Sequence, residues 1–271
     1  MLDKQILRSA FFLIFLSLVT SLSANQEEEY VGTEQMILEA NHEGLAKLMR
    51  QLRLSNPYAK ESLSYQVWEE QAQFNIPILV LASFYLDDFC QMNQKQRVLF
   101  SARDCCHWVD IYSALFPKYE SIYFYCSRLV YSNPSQAYIE YVKDLYSENT
   151  VIVDGQATGN SCRKFFSNHF KTNPCFLPLV GLIPNHIAIT YRFGDHIELL
   201  NYASHGSLYE YTEDGPQFLP LEYNIESVSP AYACVQKCIE LIGDYDLGSF
   251  DQMLIEMLLW DLKLSSPVLK N

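Results

Sequence analysis

Two near-continuous apolar triplets, Val98-Leu99-Phe100 and Val151-Ile152-Val153, most narrow what this chain can fold into. A strand that is apolar at every residue is buried on both faces, and such strands belong to parallel sheets whose helical crossovers cover both sides. Segments of helical spacing alternate with short strand-like runs, giving β-α-β-α-β-α over 97–102, 106–116, 121–126, 135–146, 150–153 and 162–170. This succession predicts an α/β fold with a Rossmann-like, mainly parallel sheet and right-handed connections. Further strand-like runs occupy 175–183 and 186–202. The second of these reads as a hairpin about Gly194-Asp195, which would make the sheet mixed.

Residues 27–54 and 60–73 have helical spacing, with Asn56-Pro57 as the turn between them. They form an N-terminal helical cap. The apolar stretch 76–90 reads as a buried helix with Pro77 in its first turn, where a missing N–H is harmless. Two more helices, over 230–243 and 249–262, close the chain. The expected division is a signal peptide at 1–24, a helical region at 25–95 and an α/β domain at 96–271.

The first 24 residues have the parts of a secretory signal. Lys4 and Arg8 precede an apolar run from Ala10 to Leu22, small residues follow at Ser21, Ser23 and Ala24, and the polar Asn25-Gln26-Glu27 comes next. The apolar run is shorter than the roughly 20 residues that a spanning helix needs. The expectation is an exported protein, periplasmic or secreted, with no stable membrane span once the signal is cut. The formal net charge is −13, with no Lys/Arg cluster, so nucleic acid and anionic lipid would be repelled at long range. A small ligand or a protein partner fits better.

The eight cysteines are an even count in a chain sent to an oxidising compartment, and some are expected to be bridged. The competing reading is that they are small buried hydrophobes. Cys105, Cys106, Cys126 and Cys162 all fall at strand ends, with His107 beside them, and at least one pair among the four is expected to be oxidised. Cys162 also opens a helix, whose dipole favours a thiolate. The spacing matches no standard zinc pattern, so no metal is assigned to them.

In open parallel sheets ligands lie beyond the carboxyl ends of the strands, which makes the three strand-to-helix turns the candidate site. The first is Ser101-Ala102-Arg103-Asp104-Cys105-Cys106-His107. The second is Tyr125-Cys126-Ser127-Arg128, and the third runs from Asp154 to Ser161. In the third, Thr158-Gly159-Asn160-Ser161 opens a helix: Gly159 lets the backbone approach a ligand, free N–H groups point outward, and the Thr158 and Ser161 hydroxyls add donors. Asp154 is placed to take hydrogen bonds from sugar hydroxyls or to hold a metal. The bland alternative is an ordinary helix start capped by Ser161. Arg103 and Arg128 are placed to clamp a phosphate bidentately, unless they pair with Asp104 or Asp154 across the sheet top.

These turns resemble a bacterial module in which "FLxRDG", "YxYxSR" and "VDxxxTGxS" turns occur in that order, often fused to a haloacid-dehalogenase-type hydrolase or a glycosyltransferase. The resemblance covers about 76–220, and Cys105 stands where the module usually has Gly. The third turn also resembles the phosphoribosyl-pyrophosphate loop of type I phosphoribosyltransferases. That likeness implies a ribose-holding role for Asp154 and a 5′-phosphate cradle at Thr158, Gly159 and Ser161. Gly155 replaces the loop's second acid, and the loop is one residue short. Turns and resemblance together give Arg103, Asp104, Arg128, Thr158, Gly159, Asn160 and Ser161 as the expected ligand contacts around Asp154, the candidate catalytic residue, for a phosphorylated sugar or nucleotide, with Mg2+ as the cofactor considered.

The rival resemblance is to the haloacid-dehalogenase nucleophile motif, Asp154-Gly155-Gln156-Ala157-Thr158, with Asp154 attacking phosphorus. Gln156 stands where that family has its acid/base Asp. Ser204, Lys237 and the Asp244/Asp246 pair would supply the remaining parts. A non-catalytic interaction protein is the third reading. His186, His196 and His205 are read as core or surface residues, and the Tyr-rich stretch 119–146 as packing for the sheet.

Overall fold

The computed structural model describes residues 30–182, 187–191, 197, 200–221 and 224–265. The proposed signal peptide, His186, His196 and the Gly194-Asp195 turn lie outside them. Among the described residues no helix is long and apolar enough to cross a membrane.

The N-terminal region is helical, as expected, but divided differently. α1 (Thr33–Glu39) and α2 (Glu43–Leu54) are separated at Asn41, whose φ of 66° places it in the left-handed region that Asn tolerates better than most residues. α3 (Leu63–Glu70) starts at Ser62, whose side chain accepts from the Tyr65 N–H. It then runs through a π-helical turn (Gln71–Asn75) directly into α4 (Ile76–Met92). Pro77 supplies no N–H to the turn before it, and the wider turn absorbs the missing bond where the sequence suggests a break.

β1 (Arg97–Ser101), β2 (Glu120–Phe124), β3 (Thr150–Ala157) and β4 (Cys175–Gly181) form one sheet in the order β2-β1-β3-β4, with every pairing parallel. α5 (Trp108–Leu115) links β1 to β2, α6 (Arg128–Ser132) and α7 (Gln136–Leu145) link β2 to β3, and α8 (Asn160–Phe170) links β3 to β4. This is a Rossmann-like α/β fold. Within the described residues this sheet is wholly parallel, and residues 187–191 add a single parallel bridge, Val180 to Thr190; the turn of the hairpin expected over 186–202 lies outside them.

The antiparallel pair is a separate hairpin, β5 (Leu208–Thr212) with β6 (Gly215–Phe218). Its turn is Glu213-Asp214, followed by Gly215 at φ 108°, a conformation that suits glycine. α9 (Val228–Leu241) and α10 (Gln252–Ser265) complete the chain.

The apolar triplets divide between the two faces as the pleat requires. Val98, Phe100, Val151, Val153, Leu177 and Leu179 belong to a core shared with α2, α4, α5, α9 and α10. Leu99, Ile152 and Phe176 point the other way, into a second core with α7, α8 and the hairpin. The chain leaves β1 for β2 on one side and for β3 on the other, so the strand order reverses between β1 and β3. A crevice opens at the carboxyl ends of strands that part in this way.

Candidate functional site

The crevice is a cleft of about 730 Å³, and its walls contain every residue of the expected site: Arg103, Asp104, Arg128, Asp154, Thr158, Gly159, Asn160 and Ser161. The three turns therefore converge. Sequence reasoning missed Tyr131 and Phe176 from the second core, and Leu182, Ser207 and Leu219 from the segments around the hairpin. Nothing local in the sequence marks these, because they reach the cleft through tertiary packing.

The first turn leaves the sheet at Ala102, whose N–H donates to the Phe124 carbonyl at 2.9 Å, and closes with the Cys105 N–H on the Ser101 carbonyl at 3.1 Å. Cys105, which occupies the usual place of a glycine in the resembled module, is fully buried, and its Sγ donates to the Val153 carbonyl at 3.8 Å. Its side chain lies beneath the turn and leaves Asp104 free to face the cleft.

Asp104 and Asp154 share a hydrogen bond. Two ionised carboxylates only accept, so a direct bond between them requires one proton on the pair. Burial raises the Asp104 carboxyl above the ordinary carboxylate range, and the pull of Arg103, the bond to Asp154 and the charge of Arg128 only partly offset it. Gly155 is what permits the approach, since a Cβ there would stand 2.8 Å from Asp104 Cβ. The second acid that the third turn lacks in sequence is thus brought by the first turn, into space that a side chain at 155 would fill.

β3 continues through Ala157, with Asp154 opposite Pro178 and Gln156 opposite Val180. Asp154 therefore sits within the paired strand, and the expected turn shrinks to Thr158-Gly159. Gly159, at φ 70° and ψ 3°, is the N-cap of α8, which corrects the reading of Ser161 as the cap. The Thr158 hydroxyl accepts from the Asn160 N–H at 3.3 Å, and Arg163 Nη1 donates to the Thr158 carbonyl at 2.8 Å while its guanidinium lies over the Phe176 ring. Arg163 thereby stiffens the loop from the helix side. Thr158, Asn160 and Ser161 all face the cleft, next to the first amides of an α-helix.

On the second turn, the Ser127 hydroxyl accepts from the Leu129 and Val130 N–H groups and caps α6, which puts Arg128 at the first helical position, exposed at the cleft rim. Both arginines act on Asp104, so the alternative in which they compensate acids across the sheet top is partly realised. Two guanidinium groups and two carboxyls therefore line the same cleft.

The cysteine expectations are corrected. All eight are free thiols. Burial pushes Cys126 up to about 12, and burial likewise drives Cys162 well above the usual thiol range despite its place at the start of α8. Desolvation of a thiolate there outweighs the helix dipole. Both bond with the Tyr131 hydroxyl, which lies between them. His107 is fully buried behind the first turn, 4.7 Å from the Tyr232 ring, and burial holds it neutral with a pKa down to about 3.

The parts assigned to a phosphatase lie elsewhere. Ser204 lines a different depression, Lys237 pairs with Glu240 at 2.9 Å on the outer side of α9, and Asp246 accepts from the Gly248 N–H near His42. No protein-family model matches the chain, and no curated protein matches it either.

Proposed function

We propose that the cleft binds a phosphorylated sugar or nucleotide, in the manner of a type I phosphoribosyltransferase-like sheet in an exported protein. The observation that carries this reading is the convergence of three strand-to-helix turns on one cleft. They supply two arginines and a helix start for a phosphate, and a hydrogen-bonded carboxyl pair for sugar hydroxyls. Asp104 fills the role that Gly155 leaves open in the loop. In this reading Mg2+ is an accessory that the phosphates of the ligand would bring, and the chain's own residues orient the sugar.

The haloacid-dehalogenase reading is weaker. Ser204, Lys237 and Asp246 do not line the cleft, and Asp154 is bonded to a neighbouring carboxyl. A nucleophile bonded in that way is held back from in-line attack on phosphorus.

The test is a thermal-shift screen of the full chain with inorganic phosphate, ribose 5-phosphate, 5-phosphoribosyl pyrophosphate and nucleotides, with and without Mg2+. A ligand selective for the native state raises its stability. The expected result is stabilisation by a phosphosugar. Asp154→Asn should lower affinity for the sugar phosphate by roughly tenfold or more, the loss expected for a charge-assisted hydrogen bond, while binding of inorganic phosphate persists. A phosphoaspartate trapped at Asp154 would favour the phosphatase instead. No response to any ligand would leave an interaction protein as the better account.

A further inference from the structure

We propose that the β5–β6 hairpin is a proton-sensitive cover on the cleft, latched to the sheet by His205. His205 Nδ1 lies 2.8 Å from the Gly206 carbonyl, which can only accept, so the ring proton resides on Nδ1. Nε2 is then the acceptor for the Tyr123 hydroxyl, 3.0 Å away on β2. The imidazole stacks on Phe218 of β6 at 4.1 Å and packs beside the Tyr123 and Tyr125 rings. One side chain therefore joins the hairpin to an edge strand of the sheet. Its neighbours in the chain and across the hairpin, Ser207 and Leu219, line the cleft.

The hairpin's other attachments do not titrate. The Ser127 hydroxyl donates to the Leu208 carbonyl, and the Ser135 hydroxyl donates to the Tyr211 carbonyl. Each serine also caps a helix, α6 and α7, so this side of the hairpin is fixed to the second turn. Among the described attachments of the hairpin, the His205 side is the one that can respond to a proton.

A proton on Nε2 turns that atom from acceptor to donor. The contact can then persist only with the Tyr123 oxygen as acceptor, which turns the hydroxyl proton toward other groups near it, Cys105, Cys106, Cys126 and Tyr232 among them. The same proton places a second cation beside Arg103. Burial and Arg103 both hold His205 below the ordinary imidazole range, against the Gly206 carbonyl. The latch is closed while the ring is neutral and loosens as it takes up a proton. An anion in the cleft offsets Arg103, so it should make His205 easier to protonate; that corollary rests on the reading of the cleft as an anion site.

The test is hydrogen exchange of the full chain, read by mass spectrometry from about pH 7.5 to about 4.5, with rates corrected for intrinsic exchange. Amides of the 205–219 segment should lose about tenfold in protection toward the acid end, while those of β1 and β3 keep theirs and serve as the control for global unfolding. In His205→Gln, whose Oε1 accepts from Tyr123 and cannot titrate, the hairpin should hold its protection across the range. In Tyr123→Phe it should be loose throughout. An unchanged pH response in H205Q, or unchanged protection in Y123F, would overturn the latch. Inorganic phosphate should move the transition upward in pH; if only this arm fails, the anion-site reading is wrong and the latch stands.

Discussion

The two faces of the sheet are built from different materials. One packs Val98, Phe100, Val151, Val153, Leu177 and Leu179 against α2, α4, α5, α9 and α10, largely aliphatic and shared along the whole chain. The other packs Leu99, Ile152 and Phe176 against a cluster rich in hydroxyl-bearing rings and thiols: Tyr131, Tyr138, Tyr141, Cys126 and Cys162, with Tyr211 of the hairpin stacked on Tyr141 at 4.4 Å. Aliphatic packing is non-directional and stabilises in proportion to area. Rings with polar tips bury area and also demand partners in fixed places. The face that touches the cleft is the one whose contacts have direction, which suits walls that must hold a shape.

If this division is correct, the largest effects on stability come from the aliphatic face and leave the cleft alone. Leu79→Ala on α4 removes a side chain that is 1% exposed in the larger core, and it should cost about 2–5 kcal/mol in denaturant unfolding. Phosphate binding per folded molecule should be unchanged. A comparable loss of binding would mean that the two faces are coupled and the comparison fails.

The division also shows how much of the molecule could be read in advance. The triplets 98–100 and 151–153 foretold a doubly covered parallel sheet, because the demand to bury both faces is local in sequence. The three turns were legible for the same reason: Arg103, Asp104, Arg128, Asp154 and the Thr158–Ser161 stretch each adjoin a strand end. The pairing of Asp104 with Asp154 was hidden, since it depends on β1 lying next to β3 and on the empty space at Gly155. The thiols misled because the expectation rested on the compartment and an even count, whereas the fold buries seven of the eight as unpaired thiols. The turn of the hairpin expected over 186–202 lies outside the described residues, and the hairpin at 208–218, with Gly215 at positive φ, is not among the sequence expectations.

A second, intermediate effect belongs to His107, buried behind the first turn beside Tyr232. Its pKa falls from 6.5 to about 3 on folding, because burial disfavours the charged ring. The unfolded chain therefore binds the proton that the folded chain refuses. The stabilising contribution is complete above the unfolded value and is lost as pH falls from about 6.5 toward 3, at about 1.4 kcal/mol per pH unit. In His107→Phe, denaturant unfolding between pH 6 and 5 should show a shallower acid slope than the parent by about that amount. An identical slope would place the proton-sensitive group elsewhere and remove His107 from the account.

The smallest expected effect tests the aromatic face most directly. The Tyr131 hydroxyl bonds to both Cys126 and Cys162, and all three residues line the cleft. Tyr131→Phe keeps the ring, which packs on Phe165 with centroids 5.2 Å apart, and deletes only the atom between the two sulfurs. Thiols are weak partners, so the loss of stability should be about 1 kcal/mol or less. If the polar tips of this face set the shape of the cleft, affinity for the phosphosugar should fall by about three- to tenfold, a change of about 1 kcal/mol, even though Tyr131 bears no charge. Equilibrium binding measured beside denaturant unfolding separates the two quantities. A variant that loses stability without losing affinity would show that this face, like the other, only holds the sheet together, and the contrast between them would reduce to composition.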